Sequence, residues 1–542
     1  MANDTEVRVM QTIGRNIIWT QEKEITSANV VEVIRNAWPV FSMNRSECDF
    51  LLRYDRGEQP IRRKKTYRSD INIECIDNVA NEITTFWTGM IYGNEITMVQ
   101  RGESDSGKAN REEQEAIARL NECYAAEFAK SKRAELADYV EICGHGYTYT
   151  DVNTDYADGD SYFKYTVLDP RFAFVVRSNA WVDHRVVLGV TFRQDDTGTM
   201  YFTAFSKDRR FEIFGGKIQN GPRNRKEEYE FFESERSGEI NPLKMIPIVE
   251  HIRAHDRTGV WERQISDMDT LNIAESDLAC LLDQNVQSIW HANDVDFPEE
   301  ITKNADGSKT KKQITPKSND WVMTYTTPDG KTPFITPLST PCDYNGILNN
   351  ITNKRALILQ KCNVPSRNST SGGSTGIAMS DASGWSQTEI EATKQQAIME
   401  GAIMEEVRLA LVCSKLSPDI PSDSPLLKLR YMDVKPSVKR QKSYELATKV
   451  NAFAVLVSHG IYGLHAINLI NAFDDPQQVF EDSKELIERY QSSIFDKQTS
   501  VSVPERASAD ESDQVTNSPF IDGISTESPK GEEVEEDGNA QD

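Results

Sequence analysis

Apolar residues follow two different periods along this chain. Over residues 22–53 they recur at helical spacing, with Ser27 or Asn29 as a cap before Val30, Val31, Val33 and Ile34 and a break expected near Pro39. Ile71, Ile73, Ile76, Val79, Ala80, Ile83 and Phe86 carry the same period toward Gly89–Asn94. Residues 110–140 read as one strong helix, with Ala116, Ile117, Leu120, Cys123, Tyr124, Phe128, Leu136 and Val140 on a repeating face. From 145 to 250 the pattern shortens to alternating or β-branched runs: Tyr147–Val152, Tyr162–Val167, Ala173–Val176, Val186–Phe192, Met200–Phe205 and Phe211–Phe214. Gly and Asp/Asn clusters punctuate them, as in strands joined by turns. Ile246–Glu250 closes the region, and its Pro247 predicts an edge or terminal strand.

A longer helical period then runs from Val260 to His291, carried by Trp261, Ile265, Met268, Leu271, Leu278, Leu282, Val286 and Ile289. Some thirty residues of helix span about 45 Å. Residues 293–340 are rich in Pro, Gly, Asp and Lys, with strand-like Trp321–Thr326 and Phe334–Ile335. Helical spacing resumes at 344–362 and ends at Asn363-Val364-Pro365. A Ser/Gly stretch over 366–376 follows, then a long helix from about Gln387 to Leu416, one strand at Leu426–Tyr431, and two or three helices within 437–495. The fold class expected is α+β. An acidic, Ser-rich tail from about 499 has too few apolar groups to pack and is expected to be disordered.

With 542 residues the chain exceeds one compact core, so several structural regions are expected. No run approaches the ~18 apolar residues of a membrane span. The opening Met1-Ala2-Asn3-Asp4 lacks a basic and apolar leader, which reads as a protein made and kept in a cytoplasm. Eight cysteines are scattered without framework or metal spacing and read as reduced, buried thiols. The net charge of −24 changes the picture more. Residues 499–542 contribute −10 of it, so the remaining body is still acidic. A protein that grips DNA neutralises phosphates with Lys and Arg, and this balance excludes a conventional DNA binder.

Candidate chemistry is thin. Gly102-Glu-Ser-Asp-Ser-Gly107-Lys108 matches most of a phosphate-binding loop, but Ala109 stands where a hydroxyl must meet magnesium, and Glu103 and Asp105 oppose a phosphate. It reads as a solvated loop. His145, between two glycines, and His251 and His255, four apart, lack partners at metal-ligand spacing and read as structural or solvated. No Gly-x-Ser-x-Gly elbow occurs. No cofactor is implied, and the chain does not read as an enzyme. Segment 366–376 is either a linker or a loop projecting between long helices into a channel. A helix of that length needs neighbours along it, and a ring of identical subunits supplies them.

Several stretches, taken in order, resemble the portal proteins of tailed bacteriophages, of the siphophage type. Tyr54-Asp55-Arg56-Gly57-Glu58-Gln59-Pro60-Ile61 is similar to that family's Tyr-x-Gly-x-Gln-Pro-Ile stretch, with one more residue before the glycine. Thr88–Asn94 resembles its Gly-Tyr-x-x-Gly-Asn ending, and Leu168–Phe172 with Phe174–Val176 its wing segment. Asn241-Pro242-Leu243 through Ile246–Glu250, then Arg257-Thr258-Gly259-x-Trp261-Glu262, matches the entry into the stem helix. Asn363-Val364-Pro365 with Ser371–Met379 resembles the tunnel loop and its exit into a kinked helix.

The resemblance implies a non-enzymatic ring of about twelve subunits with wing, stem, clip and crown regions, set in the virion at one capsid vertex. On this chain the wing is 1–255 with 386–436, the stem helices 256–291 and 341–362, the clip 292–340, the tunnel loop 363–385 and the crown 437–498. The partners implied are double-stranded DNA in the channel, the terminase motor, a head–tail adaptor, and capsid and scaffolding proteins; no membrane is involved. The channel lining expected is Arg367, Asn368, Ser369, Thr370, Ser371, Gly372, Gly373, Ser374 and Thr375. Lys303, Lys309, Lys311 and Lys312 form a candidate docking surface in the clip, and Lys435, Lys439, Arg440 and Lys442 a candidate basic patch at the crown. Arg367 is the one basic residue of that loop, and the resemblance assigns no role to the acidic tail. Two rival readings stand beside this one. A packaging ATPase or nuclease subunit is opposed by the broken phosphate loop. An adaptor or structural ring without a packaging role is opposed by the length of the chain.

Overall fold

The computed structural model describes residues 13–63, 71–101, 111–157, 159–196, 199–217, 229–233, 238–286, 289–293, 299–303, 309–313, 334–338, 343–365, 384–438, 440, 446–461, 463–470, 479–480, 483 and 489. Every element below lies in one unit that ends at Phe480. The helices are α1 (Val30–Asp55), α2 (Val79–Tyr92), α3 (Arg111–Ala126), α4 (Ala129–Cys143), α5 (Ile265–Val286), α6 (Tyr344–Lys361), α7 (Trp385–Leu416), α8 (Leu446–Ser458) and α9 (Gly463–Ile470). The strands are β1 (Ile18–Thr20), β2 (Thr97–Gln100), β3 (His145–Val152), β4 (Phe163–Leu168), β5 (Ala173–Ser178), β6 (Val186–Gln194), β7 (Met200–Phe205), β8 (Arg209–Lys217), β9 (Tyr229–Glu233), β10 (Glu239–Ile240), β11 (Ile248–Ile252), β12 (Ile289–Asn293), β13 (Glu299–Lys303), β14 (Lys309–Gln313), β15 (Phe334–Leu338) and β16 (Val434–Ser437). The class is α+β, as expected.

Two cores form on either side of α1. Alternation in β5 to β8 turns Phe174, Val176, Leu188, Val190, Phe202, Phe211 and Ile213 to one face of a seven-stranded sheet, ordered β1-β5-β6-β7-β8-β10 with β9 also on β8. Val33, Ile34, Ala37, Trp38 and Phe41 of α1 cover that face, with Phe41 stacked on Phe174 and Trp38 edge-on to Phe192 and Phe202. A second, larger core gathers α2, α3, α4, the start of α5, α6 and α7. The three-stranded sheet β11-β3-β4 packs against α4 and α7, and β2 pairs with β16 across more than three hundred residues of chain. β11 is an edge strand preceded by Pro247, as predicted.

The structure corrects several boundaries. α1 runs through Pro39, which is exposed, while its neighbours Trp38 and Phe41 are buried. An interior proline costs about 3 kcal/mol. Two buried aromatics at about 1.5–3 kcal/mol each offset it. The expected single helix over 110–140 is two, broken at Phe128, whose φ of 54° is left-handed. The long helix from Val260 begins with a short 3-10 turn, Glu262–Gln264, and α5 ends at Val286. Ile289 fits the helical period yet stands in β12, paired with Leu338 of β15, so the helix is about 33 Å long. Leu426–Tyr431 is not a strand: it opens in a 3-10 turn, Pro425–Leu427, with Leu426 and Leu429 both buried, and the strand starts at Val434. Residues 71–78, expected in the helix of Val79, are not helical.

Candidate functional site

The site is the root from which α5, α6 and α7 leave the body. Gly259 comes so close to the end of α4 that a Cβ there would stand 2.2 Å from the Ile142 carbonyl oxygen. That approach drives the next two residues into the core. The Trp261 ring is fully buried, stacks on Tyr54 at 5.3 Å, and donates its Nε1–H to Thr84 Oγ1 at 2.9 Å. Thr84 Oγ1 donates in turn to Asp55 Oδ1 at 2.7 Å. Glu262 accepts from the backbone N–H of Gly14 at 2.8 Å and of Gly259 at 2.9 Å, and is ion-paired with Arg15, whose Nε also lies 3.4 Å from Glu47. These charged side chains are buried together, where losing one partner costs about 3–5 kcal/mol.

Beyond the root, α5 is strapped. Asn272, Ser276 and Cys280 lie four apart on one face and bind every second residue of the extended segment 73–77. Asn272 Oδ1 accepts from Asp77 N at 2.9 Å and Ser276 Oγ from Cys75 N at 2.9 Å, while Cys280 Sγ lies 3.3 Å from Ile73 N. Four helical residues rise about 6.0 Å and two extended residues about 6.6 Å, so the two repeats stay in register for this length. Gln59 extends the strap to Asn272, and Arg355 of α6 bridges Asp77 at 2.7 Å and Glu82 at 2.5 Å. This ladder is absent from the reading of apolar period, because its signal is three small polar residues at four-residue spacing on a helix.

α7 is fixed by charges in the core. Glu406 lies 2.8 Å from His251 Nε2 and accepts from Tyr165 Oη at 2.9 Å and Arg133 Nη2 at 3.2 Å. Burial pushes its carboxyl up, but the charges and hydrogen bonds of His251 and Arg133 outweigh that and hold it at about 2. Glu250 behaves likewise: Arg257 at 2.7 Å and Arg177 at 2.6 Å outweigh its burial and hold it at about 2. Glu141 accepts from Arg253 Nε at 3.1 Å and from Gln395 of α7, yet burial raises its carboxyl above the ordinary value. His145 is buried and lowered to about 4 by loss of solvent, its Nδ1 beside the Cys143 carbonyl. His145 and His251 are thus held by partners in the core, and bends at Arg253 and Ala254 separate His251 from His255.

The ends of the predicted channel loop meet at this root. Thr388 Oγ1 near the start of α7 donates to the Asn363 carbonyl at 2.6 Å, so residues 363 and 388, on either side of the loop, are joined. Asn363 itself is left-handed, with φ 56°. Beside this junction opens a cleft of about 470 Å³ lined by Arg253, Arg263, Lys361 and Lys394 with Asp256 and Glu391. Arg367, Asn368, Ser369, Thr370, Ser371, Gly372, Gly373, Ser374 and Thr375 fall outside the described residues, as do the phosphate-loop-like segment from Gly102, Lys439, Lys442 and the tail.

The remaining predicted cations do not gather into one cluster. Lys303 and Lys309 face each other in register across the β13–β14 hairpin, and Lys311 and Lys312 pair with Ile301 and Glu300. Lys435 is exposed on β16. Arg440 is already engaged by α7, ion-paired with Glu389 and donating to Thr393 Oγ1 at 3.2 Å. Among the described residues no cluster of His, Cys, Asp and Glu has the form of a metal site. No described helix is long and apolar enough to cross a membrane.

The arrangement therefore holds long helices in place. No curated protein matches the chain. The family described as phage portal protein, SPP1 Gp6-like, matches residues 37–493, a span that takes in the larger core, most of the sheet core, the strapped α5, β12 to β15 and α7. That family is one of structural components of the phage head, and over this span, most of its length, the chain belongs to the SPP1 Gp6-like phage portal protein family.

Proposed function

We propose that this protein forms a ring of about twelve copies at one vertex of the phage capsid, and that double-stranded DNA enters and leaves the head through its centre. The observation that carries the reading is the family match together with what the α5–α6 pair leaves uncovered. Leu282 of α5 and Leu348 and Leu357 of α6 are each about half exposed, on helices whose other faces are bound to the body. Neighbouring copies of the pair supply the missing cover. In this reading 1–255 and 386–436 are the wing, α5 and α6 the stem, the β12–β15 and β13–β14 hairpins the clip, 363–385 the channel loop, and 437–498 the crown.

The acidic balance suits a conduit. A wall that must let DNA pass both ways cannot hold phosphates tightly, and screening over about 8–10 Å keeps the repulsion short-ranged. The junction of Asn363 with Thr388 anchors both sides of a loop that meets the DNA. The lysines of β13 and β14 offer a docking face to the terminase motor and then to the head–tail adaptor. Lys435, with Lys439 and Lys442, meets packaged DNA, and capsid and scaffolding proteins surround the wing.

Negative-stain imaging and solution mass test the reading. Rings with a central hole and a mass near twelve times 61.3 kDa are expected. A persistent monomer overturns it. Replacing Gly372 and Gly373 with bulky residues should stop heads from filling; full heads would remove the loop from the channel.

A further inference from the structure

Trp181 is 93% exposed and Val182 82%, in the connection from β5 to β6. A large aromatic so bare is out of place on a finished surface. Burying one removes about 150–250 Å² from water. The chain also carries a matching recess. Where α2 passes the α3–α4 turn, a groove of about 880 Å³ opens, floored by Gly89, Gly93, Ala125, Ala134 and Ala137. A Cβ added at Gly89 meets nothing within 4 Å, so this space is not filled by the chain itself.

Phe128 stands at the lip, 74% exposed and held in a left-handed conformation that a side chain adopts only at a cost. The rim is acidic: Glu95, Glu135 and Asp138 face one cation, Lys130. Burial, with Asp55 and Glu135 nearby, pushes the Asp138 carboxyl above its ordinary range, as expected of a negative rim without its counterpart. An apolar floor under carboxylates calls for an apolar body carrying a hydrogen-bond donor. An indole is such a group.

We propose that Trp181 and Val182 of one copy seat in the α2–α4 groove of the next, with the Trp181 indole N–H donating to the carboxylate rim. The two features belong to different layers of the subunit, Trp181 to the sheet packed on α1 and the groove to the helical core. Knob and socket on separate surfaces of identical chains make a head-to-tail contact, the kind that closes into rings. The proposal rests on the ring reading above and adds a specific contact to it.

The test uses the full chain carrying Trp181→Cys and Ala134→Cys together, oxidised after assembly, with each single variant as control. Covalent ladders ascending to the closed ring are expected from the double variant alone. Gly89→Leu fills the groove, and Trp181→Glu removes the knob. Each should raise the concentration needed for ring formation by at least ~10-fold while leaving the subunit's melting unchanged. Rings that assemble normally in both variants, with no 181–134 crosslink, overturn this contact and leave the portal reading standing. A wild-type chain that never leaves the monomer overturns both.

Discussion

The root of α5 and its far reach obey opposite rules. At the root, Trp261 is answered from within the chain by Thr84 and Tyr54, and Glu262 by Arg15 and two backbone N–H groups. By contrast, Leu282 of α5 and Leu348 and Leu357 of α6 remain half in water. In the proposed ring, the root holds the single copy together, while the half-exposed leucines of α5 and α6 are left for neighbouring copies.

The largest effect that would break this contrast is at the root. Arg15→Ala or Glu262→Ala leaves a buried charge without its partner and should cost about 3–5 kcal/mol, read as a lower denaturation midpoint of the isolated subunit. Arg15→Met with Glu262→Leu should recover part of it. A loss below about 0.5 kcal/mol in either single variant would mean that the root is not what holds α5.

Next in size is the acid response of Glu406. Its folded carboxyl titrates near 2, against 4.5 ordinarily, so the unfolded chain takes up the proton first. The stabilisation is full above pH 4.5 and is lost as pH falls toward 2, on the order of 3 kcal/mol. The gap between wild type and Glu406→Gln, measured by denaturant titration, should therefore close across that window. A gap independent of pH would assign Glu406 a packing role only.

Third comes the strap. Asn272→Ala or Ser276→Ala leaves a backbone N–H of the 73–77 segment unanswered, for about 1–3 kcal/mol each, with faster amide exchange at Asp77 or Cys75. Smallest for the subunit, and sharpest for the comparison, is Leu348→Ser with Leu357→Ser. Subunit stability should move by no more than about 0.5 kcal/mol per site, while ring yield collapses. Rings of normal yield would show that these faces meet solvent.

What the sequence made legible followed from the strength of local signals. β7 was readable to the residue and β6 to within two, because one face is buried against α1, while only the middle of β8, Phe211–Phe214, stood out. β1, β2, β10 and β16, each two to four residues long, exist only through distant partners and carry no period of their own. Ile289 kept the helical rhythm of α5 and was lost to a strand because pairing with β15 decides there. At the candidate site, Trp261 and Glu262 were visible as part of a motif. The strap was not, since a helix face bonding an extended segment belongs to neither period. Composition left the predicted channel loop open between a linker and a channel lining, the family resemblance favoured the latter, and the structure adds that Asn363 and Thr388 on either side of it touch.

The bond between residues 15 and 262 also sets an order of events during synthesis. Arg15 reaches a partner 247 positions later in the chain, and β1 must lie beside Val176–Ser178. At about 5–20 residues per second the ribosome needs roughly 12–50 s to deliver the second half of that ion pair. The segment bearing Arg15 thus settles only after Glu262 has been made. Until Glu262 arrives, the segment bearing Arg15 stays open to whatever else is at hand in the cell that translates it.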